Sequence, residues 1–210
     1  MLYIICTPIG NLNDFSLRSI NTLKEVDIIF AEDTRIASKL LQYFDIQNKT
    51  KPFHEHNEDK VSDEIIKLIK SGGTVALLSD AGAPLISDPG HPLIQRCIKE
   101  DICFTVLPGP SAVINAVILS GLPSDKFLFN GFLPKQTEAK RKIALKLKNS
   151  DITNIYFESA KRISKTISIF SEVLRPNTQL AICREMTKEF ESVYRGTIDE
   201  VFTLFKNNEI

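Results

Sequence analysis

Thr74-Val-Ala-Leu-Leu-Ser79, followed at once by Asp80-Ala-Gly-Ala-Pro-Leu-Ile-Ser-Asp-Pro-Gly90, decides the fold. The first stretch is a continuous apolar run, the pattern of a strand buried on both faces of a parallel sheet. The second opens with an acid and continues in small and turn-forming residues until a helical pattern starts at Pro92. A buried strand that runs through such a loop into a helix is one unit of an open α/β sheet. Such sheets bind ligands at the carboxyl ends of their strands.

Working outward, the same unit repeats. Strands are predicted at Tyr3 to Thr7, Asp27 to Ala31, Lys51 to His54 and Cys103 to Leu107, with helices at about Leu17 to Glu25, Thr34 to Tyr43, Asp59 to Lys70 and Pro92 to Lys99. Asp33 or Thr34 can cap the second helix, and Gly72 with Gly73 ends the third. After a helix from Ser111 to Ser120, Gly121-Leu-Pro-Ser-Asp125 combines a helix stop with turn formers and places the domain boundary. The remainder reads strand (Phe127 to Phe132), basic helix (about Thr137 to Lys148), strand (Asn154 to Phe157), helix (Lys161 to Leu174), strand (Gln179 to Arg184), strand (Glu189 to Tyr194) and helix (Ile198 to Phe205). The expected architecture is α/β with two α/β sandwich domains, 1–120 and 126–210, the first sheet parallel and the second mixed.

Composition sets the class. With 43% hydrophobic residues in 210, the chain can build a real core. Its apolar runs are far shorter than the roughly 20 residues needed to span a bilayer. The opening Met-Leu-Tyr-Ile-Ile-Cys-Thr-Pro has no basic leader and runs straight into a strand pattern, which predicts a cytoplasmic protein. Cys6, Cys97, Cys103 and Cys183 form no CxxC pair and lie in apolar segments, so buried reduced thiols are expected, with no metal. Net charge is zero, but residues 1–120 carry 11 Lys/Arg against 15 Asp/Glu, leaving the second half basic. Lys135, Lys140, Arg141, Lys142, Lys146 and Lys148 concentrate that charge; they form either a phosphate-binding face or an ordinary solvated helix face.

Three loops at predicted strand ends carry Gly and Pro: Thr7 to Asp14, Ser79 to Gly90, and Leu107 to Ala112. In the first, Pro8 fixes the turn and Gly10 admits close approach; it is neither GxGxxG nor a phosphate loop. Asp80 suits hydrogen bonds to hydroxyls or an ammonium. Ser111 can cap the next helix and leave its first N–H groups facing the sheet edge. Each loop alone reads equally well as a tight connection, and together they mark a candidate binding edge.

These residues also resemble a known family. Thr7-Pro-Ile-Gly-Asn11, Ser79-Asp-Ala-Gly-Ala-Pro84 and Pro108-Gly-Pro-Ser-Ala112 are similar to the tetrapyrrole methylase superfamily. Ala31-Glu-Asp-Thr-Arg35, His54-Glu-His-Asn-Glu58, Phe157-Glu-Ser159, Arg162, and Arg184-Glu-Met-Thr-Lys188 with Glu191 resemble, more narrowly, the ribosomal RNA small subunit methyltransferase I family. The likeness runs through essentially the whole chain. It implies a homodimer of two-domain subunits with S-adenosylmethionine in the cleft between domains. The implied reaction is methyl transfer to the ribose 2′-hydroxyl of a cytidine in the decoding region of 16S rRNA. By motif position it places Pro8, Asp80, Ala81, Gly82, Ser111, Ala112 and Phe157 in the cofactor site, where Gly10 joins them.

The chain departs from the family twice. Ala160-Lys161 stands where members show Pro-His, and the chain stops at Ile210, where a last strand is expected to begin. The resemblance therefore implies an incomplete second domain with reduced stability or activity.

A ribose hydroxyl is weakly acidic, so a base or a cation near the developing alkoxide would help. Glu32, Asp33 and Arg35 end the second strand, and His54, Glu55, His56 and Asn57 end the third. Of these, Glu32, Arg35, His56 and Asn57 are the candidate catalytic set. His56 fits proton acceptance by its ordinary pKa, though it can equally orient an acid or bind phosphate. Glu32 and Asp33 can also simply cap the helix. Arg184 and Lys188, with Lys161 and Arg162, offer phosphate contacts. A tetrapyrrole (precorrin-type) methylase and a non-catalytic nucleotide-binding remnant remain as alternatives.

Overall fold

The computed structural model describes residues 1–207 and divides into two compact units, Met1–Ala112 and Val113 onward. In the first, β1 (Leu2–Ile5), β2 (Ile28–Ala31), β3 (Thr50–Pro52), β4 (Val75–Leu78) and β5 (Phe104–Leu107) form one parallel sheet in the order β3-β2-β4-β1-β5. The returns are α1 (Leu17–Glu25), α2 (Thr34–Tyr43), α3 (Glu58–Lys70) and α4 (His91–Lys99).

Alternate residues of each strand point to opposite faces. Ile5, Ile29, Ala31 and Leu78 pack on one face with Leu23 of α1 and Leu40 and Leu41 of α2. Ile4, Phe30 and Leu77 pack on the other with Ile65 and Ile66 of α3 and Leu93 and Cys97 of α4. Both faces are covered over the central strands, which is why β2 and β4 read as unbroken apolar runs, whereas the edge strand β3 is largely polar and exposed.

The chain runs outward from β1 to β3 with α1 and α2 on one face, then returns to β4 and β5 with α3 and α4 on the other. One hand of crossover requires this change of face when the direction reverses. β4 consequently lies between β1 and β2, whose exits lead to the opposite face. The loops leaving these three strands diverge and open a crevice at the carboxyl edge.

In the second unit, α5 (Ala112–Ser120), all but its first residue, is followed by β6 (Phe127–Phe132), α6 (Thr137–Leu147), β7 (Thr153–Phe157), α7 (Ala160–Ser171), β8 (Gln179–Arg184), β9 (Ser192–Thr197) and α8 (Ile198–Lys206). β6 and β7 pair in parallel and β8 and β9 antiparallel, so both senses occur, in two separate two-stranded pieces. Leu133, Ala144, Ile167, Phe170 and Ile198 form its core.

Four expectations change. The unit border falls at Ala112 rather than after Ser120. Arg195 of β9 donates from Nε to Leu119 O (2.8 Å) and Cys183 Sγ lies 3.8 Å from Ala116 O, which ties α5 to the hairpin. β9 begins at Ser192, three residues later than expected, because positive φ at Glu185 (52°) and Thr187 (66°) folds the connection into a longer turn. Lys140 of the basic helix is buried, at 2% exposure, and Arg141 pairs with Glu172 (2.6 Å); the exposed charge of that helix is carried by its other lysines. Cys103 is exposed, whereas Cys6 and Cys97 are buried, and all four thiols are free. Among the described residues no helix is long and apolar enough to cross a membrane.

Candidate functional site

The β1 and β4 exits are stitched by a two-way backbone pair. Thr7 N donates to Gly82 O (2.8 Å) and Gly82 N to Thr7 O (3.0 Å). Thr7 Oγ1 reaches Ser79 O (3.2 Å), and Ser79 Oγ reaches Gly82 O (3.1 Å). Gly82 adopts φ +83°, a conformation open to glycine, and a Cβ there would lie 3.3 Å from Ile9 Cγ2 and 3.8 Å from Pro110 O. The three Gly/Pro loops thus meet at Gly82. Around it Pro8 is buried, Gly10 and Ala81 are exposed, and Ser111 and Ala112 are half-buried. Phe157 belongs to the second unit, where its ring stands edge-on to Phe129 and Phe132 at 4.8 and 5.3 Å.

The β2 and β4 exits are clasped as well. Asp33 N donates to Asp80 Oδ1 (3.0 Å), and Asp80 N–H in turn donates to the Glu32 carboxylate. Burial pushes the Glu32 carboxyl above its usual range, and the charges of Asp88 and Asp80 push it further. Burial raises Asp80 and Asp88 too, the latter against a hydrogen bond from the Ser79 hydroxyl. Asp33 behaves oppositely. The Arg35 side chain binds it from Nε (3.0 Å) and Nη2 (2.5 Å), and with the Arg35 backbone N–H holds its carboxyl far below the ordinary value. As N-cap of α2, Asp33 also accepts from Arg35 N (2.8 Å). Arg35 itself is 87% exposed and keeps donors facing solvent.

Beside this edge lies an open cavity of about 660 Å³ whose walls include Glu32, His54, His56, Glu58, Asp88 and His91. The chain has three histidines, and all of them line it. The rings of His54 and His56 sit edge to face at 5.9 Å, and His54 Nδ1 is buried without a partner. Asn57 plays a different part from the one its sequence position suggested. Its Oδ1 accepts from His54 N (2.8 Å) and its Nδ2 donates to Pro52 O (3.1 Å), so the side chain is occupied in shaping the turn.

Sequence reasoning missed Asp88, Glu58 and His91. The signal for Asp88 and His91 was the length of the Ser79–Gly90 loop. That loop doubles back through positive φ at Leu85 (72°) and Ser87 (67°), while Leu85 packs against the core, and this brings its far end to the cavity. Among the described residues no group of His, Cys, Asp and Glu has the arrangement to hold a metal ion.

In the second unit, Phe157 is followed by a buried charge network. Glu158 accepts from Lys140 Nζ (2.6 Å), Arg162 Nη2 (2.6 Å), Thr166 Oγ1 (2.8 Å) and Ser159 N (2.8 Å). Arg162, expected to face RNA, is committed here. Lys161 and Arg184 are exposed, and Lys188 pairs with Glu185 at 3.1 Å.

The parallel sheet clasped at its carboxyl edge and the second α/β unit fall within one family match, that of the family described as Tetrapyrrole (Corrin/Porphyrin) Methylases, over residues 1–201. Two solved structures share the fold at low identity. They are a cobalt precorrin-4 methyltransferase (TM-score 0.69, 16% identical, covering 100% of this chain and 90% of that one) and the uroporphyrin-III-C-methyltransferase of Thermus thermophilus (TM-score 0.63, 19% identical, 97% and 87%).

Nearer relatives narrow the membership. The Ribosomal RNA small subunit methyltransferase I of Rickettsia prowazekii is 45% identical over 207 residues, 99% of this chain and 74% of its own length; that of Thermotoga maritima is 41% identical over 208 residues, 99% and 93%. The chain belongs to the ribosomal RNA small subunit methyltransferase I family.

Proposed function

We propose that this chain transfers a methyl group from S-adenosylmethionine to the ribose 2′-hydroxyl of a cytidine in the decoding region of 16S rRNA, acting as a homodimer in the cytoplasm. The observation that carries the reading is the convergence of Glu32 and of His54, Glu55 and His56 on one cavity, beside the loops that meet at Gly82. The names of the relatives supply the RNA class.

The loops fit the cofactor. The Asp80 carboxylate suits ribose hydroxyls or an ammonium, and the exposed backbone at Gly10 and Ala81 admits close approach where a side chain would not. Ser111, Ala112 and Phe157 complete the proposed binding set. S-adenosylmethionine, when bound, supplies an electrophilic methyl carbon on a sulfonium.

The residues of the chain do the rest. Glu32 and His56 line the same cavity and are the groups suited to take the hydroxyl proton; the raised pKa of Glu32 brings it toward the range in which a base works best. Asn57 positions the His54 turn, and Arg35, anchored by Asp33, presents its remaining donors to a phosphate at the rim. The cavity carboxylates disfavour a polycarboxylate tetrapyrrole, whereas a nucleoside is neutral and leaves its phosphates outside.

The test is tritiated methyl transfer to small ribosomal subunits, with mapping of the ribose. Transfer is expected to weaken as salt rises. Arg35→Ala and His56→Ala are expected to abolish transfer with S-adenosylmethionine affinity unchanged by calorimetry. Loss of cofactor binding in those variants would contradict the acceptor-side assignment.

A further inference from the structure

We infer that Glu58 is a positioning residue that clasps the two walls of the histidine-lined cavity together. The inference rests on the acceptor-site reading above. One wall is the β3–α3 turn, which carries His54 and His56; the other is the end of the β4–α4 loop, which carries Asp88 and His91.

Glu58 is the first residue of α3, and its Oε1 accepts from Gly90 N at 2.7 Å. Gly90 is the N-cap of α4, so one side chain joins the starts of two helices across the cavity. Gly90 lies 32 residues away in sequence, and farther along the same two helices Arg96 of α4 pairs with Asp63 of α3 at 2.6 Å, so Glu58 carries the contact between them to the cavity end.

The receiving end is shaped for this bond. Gly90 has φ +131°, and a Cβ there would lie 3.1 Å from Leu85 Cδ1, so the backbone N–H is presented by a residue that tolerates no side chain without strain. Leu85 in turn packs against the core, so the loop is pinned from below by an apolar anchor and from the front by Glu58. Glu58 also sits in the first turn of α3, where a negative charge is favoured by the helix dipole. A carboxylate bond to a backbone N–H is directional and short. Without it, the turn that carries His54 and His56 and the loop end that carries Asp88 and His91 lose their direct tie at the cavity.

The test compares Glu58→Gln, which keeps an acceptor oxygen at the same reach, with Glu58→Asp, which falls one methylene short, and Glu58→Ala, which has none. With three histidines in the tag-free chain, their imidazole NMR signals report the cavity walls directly, with no substrate present. The His54 and His91 signals are expected to move in Glu58→Ala and Glu58→Asp and to stay in place in Glu58→Gln. In methyl transfer to small subunits, kcat/KM is expected to fall by about a hundredfold in Glu58→Ala, the scale of a 1 Å misplacement. The fall should lie in kcat, with cofactor affinity unchanged, and Glu58→Gln should restore it.

Unmoved histidine signals in Glu58→Ala, or a Glu58→Gln variant as impaired as the alanine, would overturn the inference. Should Glu58→Ala not fold, Glu58→Asp carries the same comparison. If the wild-type chain transfers no methyl group to the subunits, the functional reading fails, and the histidine signals still decide the clasp.

Discussion

Lys140 and Glu158 offer the sharpest energetic test, because their side chains are 3% and 5% exposed and their charged atoms lie 2.6 Å apart. Removing one partner of a buried ion pair costs about 3–5 kcal/mol, since the other charge is left in a poor medium. The two removals are unequal here. Lys140→Met leaves Glu158 with Arg162, Ser159 N and the Thr166 hydroxyl, so the cost falls at the lower end, about 3 kcal/mol. Glu158→Gln leaves the Lys140 ammonium with neutral partners only, the new amide and the Thr166 hydroxyl, and should approach about 5 kcal/mol. At about 2–4 °C per kcal/mol for a chain of this size, Tm should drop by about 6–12 °C and 10–20 °C respectively in circular dichroism melts. The double variant Lys140→Met/Glu158→Leu should cost less than Glu158→Gln alone, because no lone buried charge remains.

Acidity gives a second axis to the same experiment. Burial opposes ionisation of Glu158, but Lys140, Thr166 and Ser159 N–H outweigh it and hold the carboxyl below its ordinary 4.5. The pair's contribution is therefore present above pH 4.5 and is lost as pH falls through the lower folded value. If Lys140→Met proved the more damaging variant, or both cost under about 1 kcal/mol as exposed pairs do, the reasoning would be refuted.

Two other outcomes follow from the first unit. Gly82→Val, which brings a branched Cβ to Ile9 at positive φ, should weaken S-adenosylmethionine binding in calorimetry far more than Ala81→Ser, whose site is exposed; equal losses would remove the argument for close approach at Gly82. Glu32→Gln should raise Tm at neutral pH while lowering methyl transfer, because it relieves repulsion from Asp88 and Asp80. The folded pKa of Glu32 is raised, so the wild type bears this cost only as pH rises through that value; the advantage of the variant should close as pH falls below 4.5, and a gap that widened on acidification would contradict it.

Much of the fold was legible because local and global signals agree in this chain. Leu17–Glu25 and Thr34–Tyr43 stand where periodicity and caps put them, and β6 and β8 have their expected limits. β9 slipped because its turn uses left-handed Glu185 and Thr187, and no glycine marks the spot. In the site, the Glu32 and His56 clusters were visible as strand-end residues, since the carboxyl edge is a fixed place in a parallel sheet. What Asn57 and Arg162 bind was not visible, because both could equally face solvent until the turns that surround them are known. His91 and Glu58 were hidden for a related reason: their two segments meet through tertiary contacts, the Glu58–Gly90 hydrogen bond across 32 residues among them, and sequence spacing carries no trace of these.

The placement of β4 has a consequence for how the chain acquires its site. The first two strands do not neighbour each other in the finished sheet, because β4 lies between them. The clasps that shape the crevice join residues 47 apart at Asp33 and Asp80 and 72 apart at Thr7 and Ser79. Such long-range closures form late and slowly compared with local helices. A nascent chain that has emerged only as far as α3 holds both candidate proton acceptors yet has no crevice to place them in. The crevice needs β4 between its neighbours, and the proposed binding set also needs the loop after β5, so cofactor binding would report a completed sheet.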